Sequence, residues 1–537
     1  MDYLLRYSLI LICFSSILLF GQQFSRQDSL RGGLRPERTQ YDLTDVHLSL
    51  KILPEKKHIE GYCRLKWNYT SGIRADKIQL DLFAQYHVDS IISAHRPVNY
   101  KRDGNVLWIN RPEADSIRIY YHGKPPKARN APWDGGFVWT KDANRKPWIG
   151  VACEGLGASS WWPLKDHLSD EPDRMTLSIS IPDSLSCITN GQFLGKQRLD
   201  NGFECWNYEI TCPINSYNVT LNIGDYANFT EVYSSKFQGP LTLKYHVKPY
   251  HLEKARAYFR TETPKMLDAF EHYFGPYPCY ADGFGLIETP YWGMEHQGAI
   301  AYGNQFKKLK PWDFDFILVH ESGHEWWGNS ISCTDHAEMW IHEGFTTYSE
   351  SLYLEYHQGY KTAMNYLAIQ KQNIENTVPL LGPMGVNYQG WNNNDIYYKG
   401  AWFLNTLRHT FPSDSMWFDW LKKFAIENRH SFQTTASIQA SMEKHAGYAL
   451  NSVFEQYLRT NSIPILRFNQ DSNGNLQSHW ENCHPDFQMP VFLLQGKSPK
   501  VRVDPQGIKP GSIKYSNRLK KELESRYLIE VVFNEKQ

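Results

Sequence analysis

Residues 320–329 read HESGHEWWGN and lie within a pattern of helical periodicity that begins at Asp313. Side chains four positions apart share one face of a helix, so the imidazoles of His320 and His324 can reach one metal ion. Glu321, next to the first histidine, can reach a water molecule on that ion and act as general base. The competing explanation is a chance match among the 20 histidines of the chain, which the helical context disfavours. The motif therefore predicts a hydrolytic zinc centre.

A third ligand is predicted at Glu343, which opens the next helical pattern, MWIHEGFTTYSESLYLEYH, at residues 339–357. Eighteen residues separate it from His324. Two helices packed antiparallel across a short connection would bring Glu343 to the same ion, and two histidines with one glutamate form a known hydrolytic zinc site. Glu350 lies two turns further along the same face, where it either orients a ligand histidine or belongs to the surface.

Outward from this motif, changes in periodicity divide the chain into three regions. Apolar and polar residues alternate from about Tyr41 to Val247, which is typical of antiparallel strands. Helical patterns then dominate, interrupted by a strand-like insert at residues 284–303, and short strands return after Pro464. These patterns predict a multidomain α+β protein. Its parts are an N-terminal antiparallel β domain at 22–247, a mainly helical zinc catalytic domain at 248–460 and a small C-terminal β-sandwich domain at 461–537.

The charge balance and the N-terminal sequence indicate where the protein is located in the cell and which partners it does not favour. Lys and Arg together number 57, as do Asp and Glu, so nothing favours nucleic acid or an anionic membrane as a partner. Arg6 and the apolar run from Ser8 to Phe20 predict a secretory signal peptide at residues 1–21. The alternative is an uncleaved anchor, which needs about 20 apolar residues. We therefore expect an exported protein, periplasmic or extracellular, with no stable membrane insertion after signal removal. Its oligomeric state is not predicted.

Cysteines and sequons fit an exported chain without deciding its covalent structure. Nine cysteines include Cys13 of the signal, and the even number that is left permits disulfides. Isolated buried thiols are the alternative, and connectivity cannot be deduced from sequence. Three N-x-T sequons begin at Asn68, Asn218 and Asn228.

Several stretches resemble the gluzincin aminopeptidases, the family of aminopeptidase N and leukotriene hydrolase. HESGHEWWGNSIS resembles the family's His-Glu-x-x-His-x-Trp-x-Gly-Asn helix, and WIHEGFTTYSE its Trp-Leu-Asn-Glu-Gly-Phe segment. YWGMEHQGAI resembles its Gly-x-Met-Glu-Asn motif, YYKGAWFL its Tyr-x-Lys-Gly helix, and EGLGASSWWPLKDHLSDEP the glutamate-bearing segment of its first domain. The resemblance spans about Tyr41 to Pro464. It implies a thermolysin-like catalytic domain, one zinc ion and peptide substrates with a free N-terminus.

By position, the resemblance implies that Glu295 and Glu154 bind the free α-amine of the substrate, beside Gly293 and Met294 of the same motif. Carboxylates pair directly with a terminal ammonium, and two of them favour substrates that carry one. Gly293 leaves room for the substrate backbone to approach the strand. An ordinary loop acid is the alternative for each glutamate.

Tyr397 matches the family's catalytic tyrosine, whose hydroxyl stabilises the oxyanion. Tyr398 is the neighbouring alternative, which the Tyr-x-Lys-Gly spacing disfavours. His296 and His342 depart from the family pattern, because Asn usually stands at both positions. We expect position 296 to affect terminal-residue preference or pH dependence, and position 342, about 100° from Glu343 around the helix, to stay off the metal. The large C-terminal helical domain of many relatives is missing from the sequence, which predicts a more open cleft.

The sequence thus predicts a zinc metallopeptidase that removes N-terminal amino acids, with Glu321 as general base and Tyr397 at the oxyanion. One alternative is a zinc endopeptidase, which the Gly-Met-Glu segment disfavours. A lipid-epoxide hydrolase is a second, by analogy with leukotriene hydrolase alone. The third is a catalytically silent peptide-binding protein on the same scaffold, against which the presence of Glu321 and Tyr397 argues.

Overall fold

The computed structural model describes residues 24–70, 75–390, 393–470, 476–495, 498–503 and 516–534. Their order is the predicted one: a region of several β-sheets, a mainly helical region and small sheets at the C-terminus. The multidomain α+β class is therefore confirmed. The predicted signal peptide at residues 1–21 lies outside the described residues.

Two short helices, α1 (Arg26–Gly32) and α2 (Pro36–Thr39), precede the N-terminal β region. The strands of that region are β1 (Tyr41–Leu53), β2 (His58–Tyr69), β3 (Lys77–Asp81), β4 (His87–Ser93), β5 (Arg96–Pro97), β6 (Tyr100–Asp103), β7 (Val106–Asn110), β8 (Ser116–Gly123), β9 (Gly136–Lys141), β10 (Pro147–Ala152), β11 (Arg174–Pro182), β12 (Ser186–Ile188), β13 (Gln192–Arg198), β14 (Phe203–Ile210) and β15 (Asn222–Gly224). They form sheets of order β13-β14-β11-β1-β2-β8-β4-β5, β12-β15-β10-β9 and β3-β7-β6.

One pairing corrects the prediction of a wholly antiparallel domain. Strands β1 and β11 run parallel, with Val46 opposite Met175. Alternating burial is a property of each strand and does not depend on the direction of its partner, so the sequence pattern could not reveal this.

The catalytic region contains a five-stranded sheet beside the metal centre. Its strands are β16 (Ala227–Ser235), β17 (Gly239–Val247), β18 (Phe284–Glu288), β19 (Gly293–Met294) and β20 (Ile300–Tyr302), in the order β16-β17-β18-β20-β19. Because β17 pairs in parallel with β18, two strands that the prediction placed in the N-terminal domain belong to this sheet instead. The predicted boundary between residues 247 and 248 therefore cuts through a sheet. Alternation identified the strands correctly but carries no information about their partners.

The helices of this region are α3 (Leu252–Phe274), α4 (Phe316–Gly323), α5 (Trp340–Gln358), α6 (Tyr360–Lys371), α7 (Asp395–Thr410), α8 (Asp414–Glu427), α9 (Thr435–Ala446) and α10 (Asn451–Arg459). A short parallel pair, β21 (Ile331–Cys333) and β22 (Ser431–Gln433), accompanies them. Helix α4 is shorter than the helical pattern, which continues to Asn329. It ends at Gly323, and Trp326 and Trp327 turn into the core instead.

The C-terminal region contains the predicted strands and, among the described residues, one helix as well. Its strands are β23 (Ile465–Gln470), β24 (Leu476–Glu481), β25 (Phe492–Gln495), β26 (Ser498–Arg502) and β27 (Glu530–Phe533). They form a three-stranded sheet, β24-β23-β27, and a two-stranded sheet. A helix that the strand-only prediction missed, α11 (Asn517–Arg526), precedes β27 and buries Leu519 and Leu523.

Cys212 and Cys279 form a disulfide, whereas the other cysteines of the described residues are thiols. Both alternatives left open by the cysteine count therefore occur in one chain. The sequon at Asn218 is buried, and its amide donates a hydrogen bond to Asn329 (2.7 Å), so it offers no glycan site in the folded protein. Among the described residues, no helix combines the length and apolar character needed to cross a bilayer.

Candidate metal centre

Helices α4 and α5 bring the three predicted ligands together. His320 lies in the last turn of α4, His324 directly follows its end, and Glu343 lies in the first turn of α5. The Nε2 atoms of the histidines lie 3.6 and 3.5 Å from Oε2 of Glu343. Donor atoms at ~2.0–2.1 Å from a tetrahedral zinc are separated by roughly 3.4 Å, so this triangle has the dimensions of a zinc site.

Hydrogen bonds on the far side of each imidazole fix which nitrogen faces the centre. His324 Nδ1 donates to the carbonyl oxygen of Trp327 (2.9 Å), and His320 Nδ1 bonds Oε1 of Glu350 (2.7 Å). A carbonyl only accepts, so the His324 proton is on Nδ1 and its Nε2 lone pair points at the centre. Metal-ligating histidines characteristically donate their other nitrogen in this way.

Glu343 provides the test of whether a metal fits. Its Oε2 atom is buried and has no hydrogen-bond partner among the described residues, although it lies between two imidazole nitrogens. Burial alone would raise its pKa, but His324 and His320 hold the pKa of the Glu343 carboxyl well below its ordinary value. A buried carboxylate oxygen and two bare imidazole nitrogens around one point are the donor set of a single zinc ion.

Glu350 takes the first of the two roles that the sequence allowed. It is 1% exposed, and while one oxygen holds His320, the other accepts hydrogen bonds from the Tyr366 hydroxyl and from Gln370 Nε2 (3.1 Å). These contacts restrain the Glu350 carboxylate from both sides, and it in turn restrains the ligand imidazole.

Glu321 extends from α4 toward strand β19. A Cβ added at Gly293 would lie 2.3 Å from Oε1 of Glu321, so only glycine allows the strand to pass this carboxylate. The room predicted at Gly293 is thus taken up by Glu321 on this face, while β19 remains the edge strand of its sheet. Burial raises the pKa of the Glu321 carboxyl to about 7, against the lowering effect of His320.

Two further carboxylates line the same cavity. Oxygen atoms of Glu295 and Glu321 and a nitrogen of His324 lie within 4.8 Å of one another. Glu295 follows Met294 at the end of β19, and the Tyr217 hydroxyl donates to its Oε1 (2.9 Å). Glu154 lines the cavity from the turn after β10. Burial raises the pKa of both the Glu295 and Glu154 carboxyls, and the proximity of Glu295 raises that of Glu154 further.

Tyr397 and Tyr398, in the first turn of α7, both line the cavity. The Tyr397 ring lies 6.1 Å from the His320 ring, measured between centroids. Burial and then the carboxylates of Glu343 and Glu154 raise the pKa of the Tyr397 hydroxyl well above its ordinary value. For Tyr398, burial and then the carboxylate of Glu350, which bonds His320 Nδ1, raise the pKa of the hydroxyl.

The cavity measures about 710 Å³, and aromatic side chains form part of its wall. Trp292 is 46% exposed and stacks on Phe316 with 5.5 Å between ring centroids, and Phe316 stacks on His320 at 5.4 Å. Sequence analysis did not single out these two residues. Trp292 holds the first position of the Gly-x-Met-Glu-Asn pattern, where the family has glycine, and that mismatch was the available signal.

The two histidines that depart from the family pattern are both buried. Burial lowers the pKa of each to about 3, so neither is charged near neutral pH. Neither ring nitrogen of His296 has a hydrogen-bond partner among the described residues. Nε2 of His342 accepts from the backbone N–H of Cys333 (2.9 Å) and is therefore directed away from the metal, as expected.

Comparison with known proteins gives one family. Residues 259–457 match the peptidase family M1 domain. Leucine aminopeptidase 2 of Vanderwaltozyma polyspora is 23% identical over 330 residues, which cover 58% of this chain and 47% of that protein. Aminopeptidase N of Streptomyces lividans is 25% identical over 304 residues, covering 51% and 34%. The chain therefore spans less than half the length of these relatives.

Solved structures share the fold at low identity. A mutant M1 zinc metallopeptidase of Deinococcus radiodurans, bound to a Tyr-Ser-Ala substrate, aligns with a TM-score of 0.67 and 19% identity over 79% of this chain and 96% of that chain. Native yeast LTA4 hydrolase aligns with a TM-score of 0.66 and 16% identity, covering 78% and 68%. Residues 259–457 thus match the peptidase family M1 domain, in agreement with the predicted resemblance to the gluzincin aminopeptidases.

Proposed function

We propose that the protein is a zinc-dependent aminopeptidase that removes single residues from the free N-terminus of peptides. The observation that carries this proposal is the buried carboxylate of Glu295, within 4.8 Å of both Glu321 and His324. A terminal ammonium is the partner that such a carboxylate lacks, and it would lie one residue from a carbonyl at the metal. Glu154 supplies a second carboxyl group to the lining of the same cavity.

Glu321 is the general base in this proposal. His320, His324 and Glu343 would hold a zinc ion, which would supply a Lewis acid for the scissile carbonyl and for a water molecule. Glu321 removes a proton from that water and delivers it to the departing amine of the second residue. A carboxyl whose pKa is raised toward neutrality suits both halves of this transfer.

Tyr397 donates a hydrogen bond to the oxyanion that develops at the scissile carbonyl. Its raised pKa keeps the hydroxyl protonated throughout the neutral range, so it acts as a donor and not as a base. The edge strand β19 offers unpaired backbone groups to an extended substrate, which would lie antiparallel or parallel to Gly293 and Met294.

The alternatives are weaker. An endopeptidase must accommodate a chain beyond the amine site, where Glu295 and Glu154 would be left with no cation to pair. The lipid-epoxide hydrolase has only a shared fold as support. A catalytically silent binding protein would require neither metal ligands oriented by hydrogen bonds nor a general base such as Glu321.

We also propose that the protein is exported, because the predicted signal peptide precedes a chain with a disulfide between Cys212 and Cys279. The carboxyl groups that line the cavity suit a cationic peptide terminus as partner. Lys and Arg do not outnumber Asp and Glu in the sequence, so the composition does not favour nucleic acid.

A panel of aminoacyl anilides and matched free and N-acetylated peptides tests the function. We expect release of the first residue from free peptides, loss of activity with a chelator and recovery with zinc. Cleavage of acetylated peptides at the rate of free ones would overturn the aminopeptidase proposal in favour of an endopeptidase. No hydrolysis with one zinc bound would favour the silent binding protein.

A further inference from the structure

A chain of hydrogen bonds runs from the backbone behind the metal centre to the carboxylate assigned to the substrate amine. The backbone N–H of Cys333 donates to His342 Nε2 (2.9 Å), His342 Nδ1 lies 3.5 Å from the Tyr217 hydroxyl, and that hydroxyl lies 2.9 Å from Oε1 of Glu295. His342 and Tyr217 are buried, so water does not compete for these contacts.

The direction of each bond follows from its neighbour. A backbone N–H can only donate, so Nε2 of His342 must be the bare, accepting nitrogen. The ring proton then resides on Nδ1, and Nδ1 donates to the Tyr217 oxygen. With its oxygen accepting from His342, the Tyr217 hydroxyl directs its own hydrogen to Glu295. A histidine at position 342 thereby sets the orientation of a hydroxyl that reaches the substrate site.

We propose that His342 and Tyr217 are positioning residues that hold Oε1 of Glu295 and leave Oε2 for the substrate ammonium. This inference rests on the proposed function, since it assigns Glu295 to the amine. The backbone of Glu295 is held independently: Asn329 Nδ2 donates to its carbonyl oxygen (2.9 Å). Glu295 is therefore held at its backbone by Asn329 and at its carboxylate by Tyr217, and the Tyr217 bond restrains the orientation of the carboxylate.

The first test is Tyr217→Phe, which removes the hydroxyl and keeps the ring. Loss of a hydrogen bond to a charged group corresponds to roughly a tenfold effect. We expect KM for an aminoacyl anilide to rise about tenfold, with kcat within about threefold and zinc content unchanged. Tyr86→Phe is the matched control, because Tyr86 is equally buried and its hydroxyl donates to the Ser160 carbonyl (2.8 Å), in the β region.

His342→Asn and His342→Leu form a near-isosteric pair. The Asn amide can donate toward Tyr217 from about the position of Nδ1, whereas Leu cannot. We expect His342→Leu to raise KM as Tyr217→Phe does, and His342→Asn to recover most of the wild-type KM. Equal KM values for the two His342 variants, or an unchanged KM in Tyr217→Phe, would overturn the positioning role and leave the aminopeptidase proposal standing.

A measurement on the wild-type protein separates the two proposals entirely. The ¹⁵N chemical shifts of His342, assigned by comparison with His342→Asn, distinguish a protonated from a bare ring nitrogen. We expect Nδ1 protonated and Nε2 bare in the zinc-loaded enzyme. The opposite tautomer would overturn the positioning role of His342 and Tyr217 even if peptides are cleaved. The expected tautomer without any peptide hydrolysis would retain the hydrogen-bond chain and reject the aminopeptidase proposal.

Discussion

Gly344 of α5 and Gly400 of α7 face each other so closely that a Cβ added at Gly400 would lie 2.8 Å from the Cα of Gly344. Glycine on both helices permits this approach, because any side chain would push the backbones apart. Glu343 directly precedes the first glycine, and Tyr397 lies three residues before the second. The contact therefore sets the separation between the third metal ligand and the tyrosine of the site.

Gly400→Ala is expected to displace the start of α7 and reduce turnover. Removal of an oxyanion donor costs about 10²–10³ in kcat, and a partial displacement of Tyr397 should cost a fraction of that. The control is a cycle with Tyr397→Phe. Once the hydroxyl is absent, adding Gly400→Ala should cost nothing more in kcat. Fully additive losses would show that the glycine contact acts elsewhere, for instance through overall stability.

Glu321→Gln should separate turnover from metal binding. The amide keeps the size of the side chain beside Gly293 but cannot accept a proton, so kcat should fall by about 10²–10⁴ while zinc content stays at one per chain. Metal analysis and steady-state kinetics on the same sample check both halves. Wild-type turnover by the loaded variant would remove Glu321 from the mechanism.

Glu350→Gln is expected to weaken zinc binding and to leave turnover of the zinc-loaded enzyme nearly unchanged, which is the opposite of Glu321→Gln. The amide accepts the His320 proton less strongly, so zinc affinity should drop by roughly 10–100-fold, measured by competition with a chelator. At saturating zinc, kcat should return close to the wild-type value. Tyr366→Phe removes a bond to the other Glu350 oxygen and should weaken zinc binding less. Unchanged affinity in both variants would mean that the His320 orientation is fixed by packing alone.

The metal centre was predictable because its three ligands lie close together in the sequence. His320 and His324 share one helix face, and Glu343 follows at a spacing that two short helices can close. The strand-like insert at residues 284–303 was also predicted, and strands β18, β19 and β20 lie there. Tyr397 and Glu295 depended instead on the resemblance to a family, since a tyrosine in a helix and a glutamate after a strand carry no chemistry by themselves.

Contacts between segments far apart in the chain could not be predicted from the sequence. Nothing in residues 227–247 reveals that β17 pairs with β18, some 40 residues on, because side-chain alternation is the same for any partner. The contact of Gly344 with Gly400 and the bond from Tyr217 to Glu295 likewise join segments distant in the chain. Each needs the fold before it can be seen.

Glu171 should make stability depend on pH, far from the metal. Its carboxylate accepts a hydrogen bond from Ser332 Oγ (2.6 Å), a contact between the β region and the catalytic region. Burial raises the pKa of the Glu171 carboxyl from 4.5 to about 8. Between these values the folded state keeps a proton that the unfolded state has lost, so this group reduces stability progressively as pH rises from 4.5 to 8. Glu171→Gln removes that dependence.

We expect the melting temperature of Glu171→Gln relative to wild type to increase by roughly 2 °C between pH 4.5 and pH 9, measured by calorimetry on zinc-loaded protein. Glu55→Gln, at an exposed acid, is the control measured over the same range. Comparing the two variants cancels the titration of all other groups, since they are common to both. A pH-independent difference for Glu171→Gln would show that its carboxyl is ionised in the folded protein at neutral pH, and that enclosure by the two regions does not control its protonation.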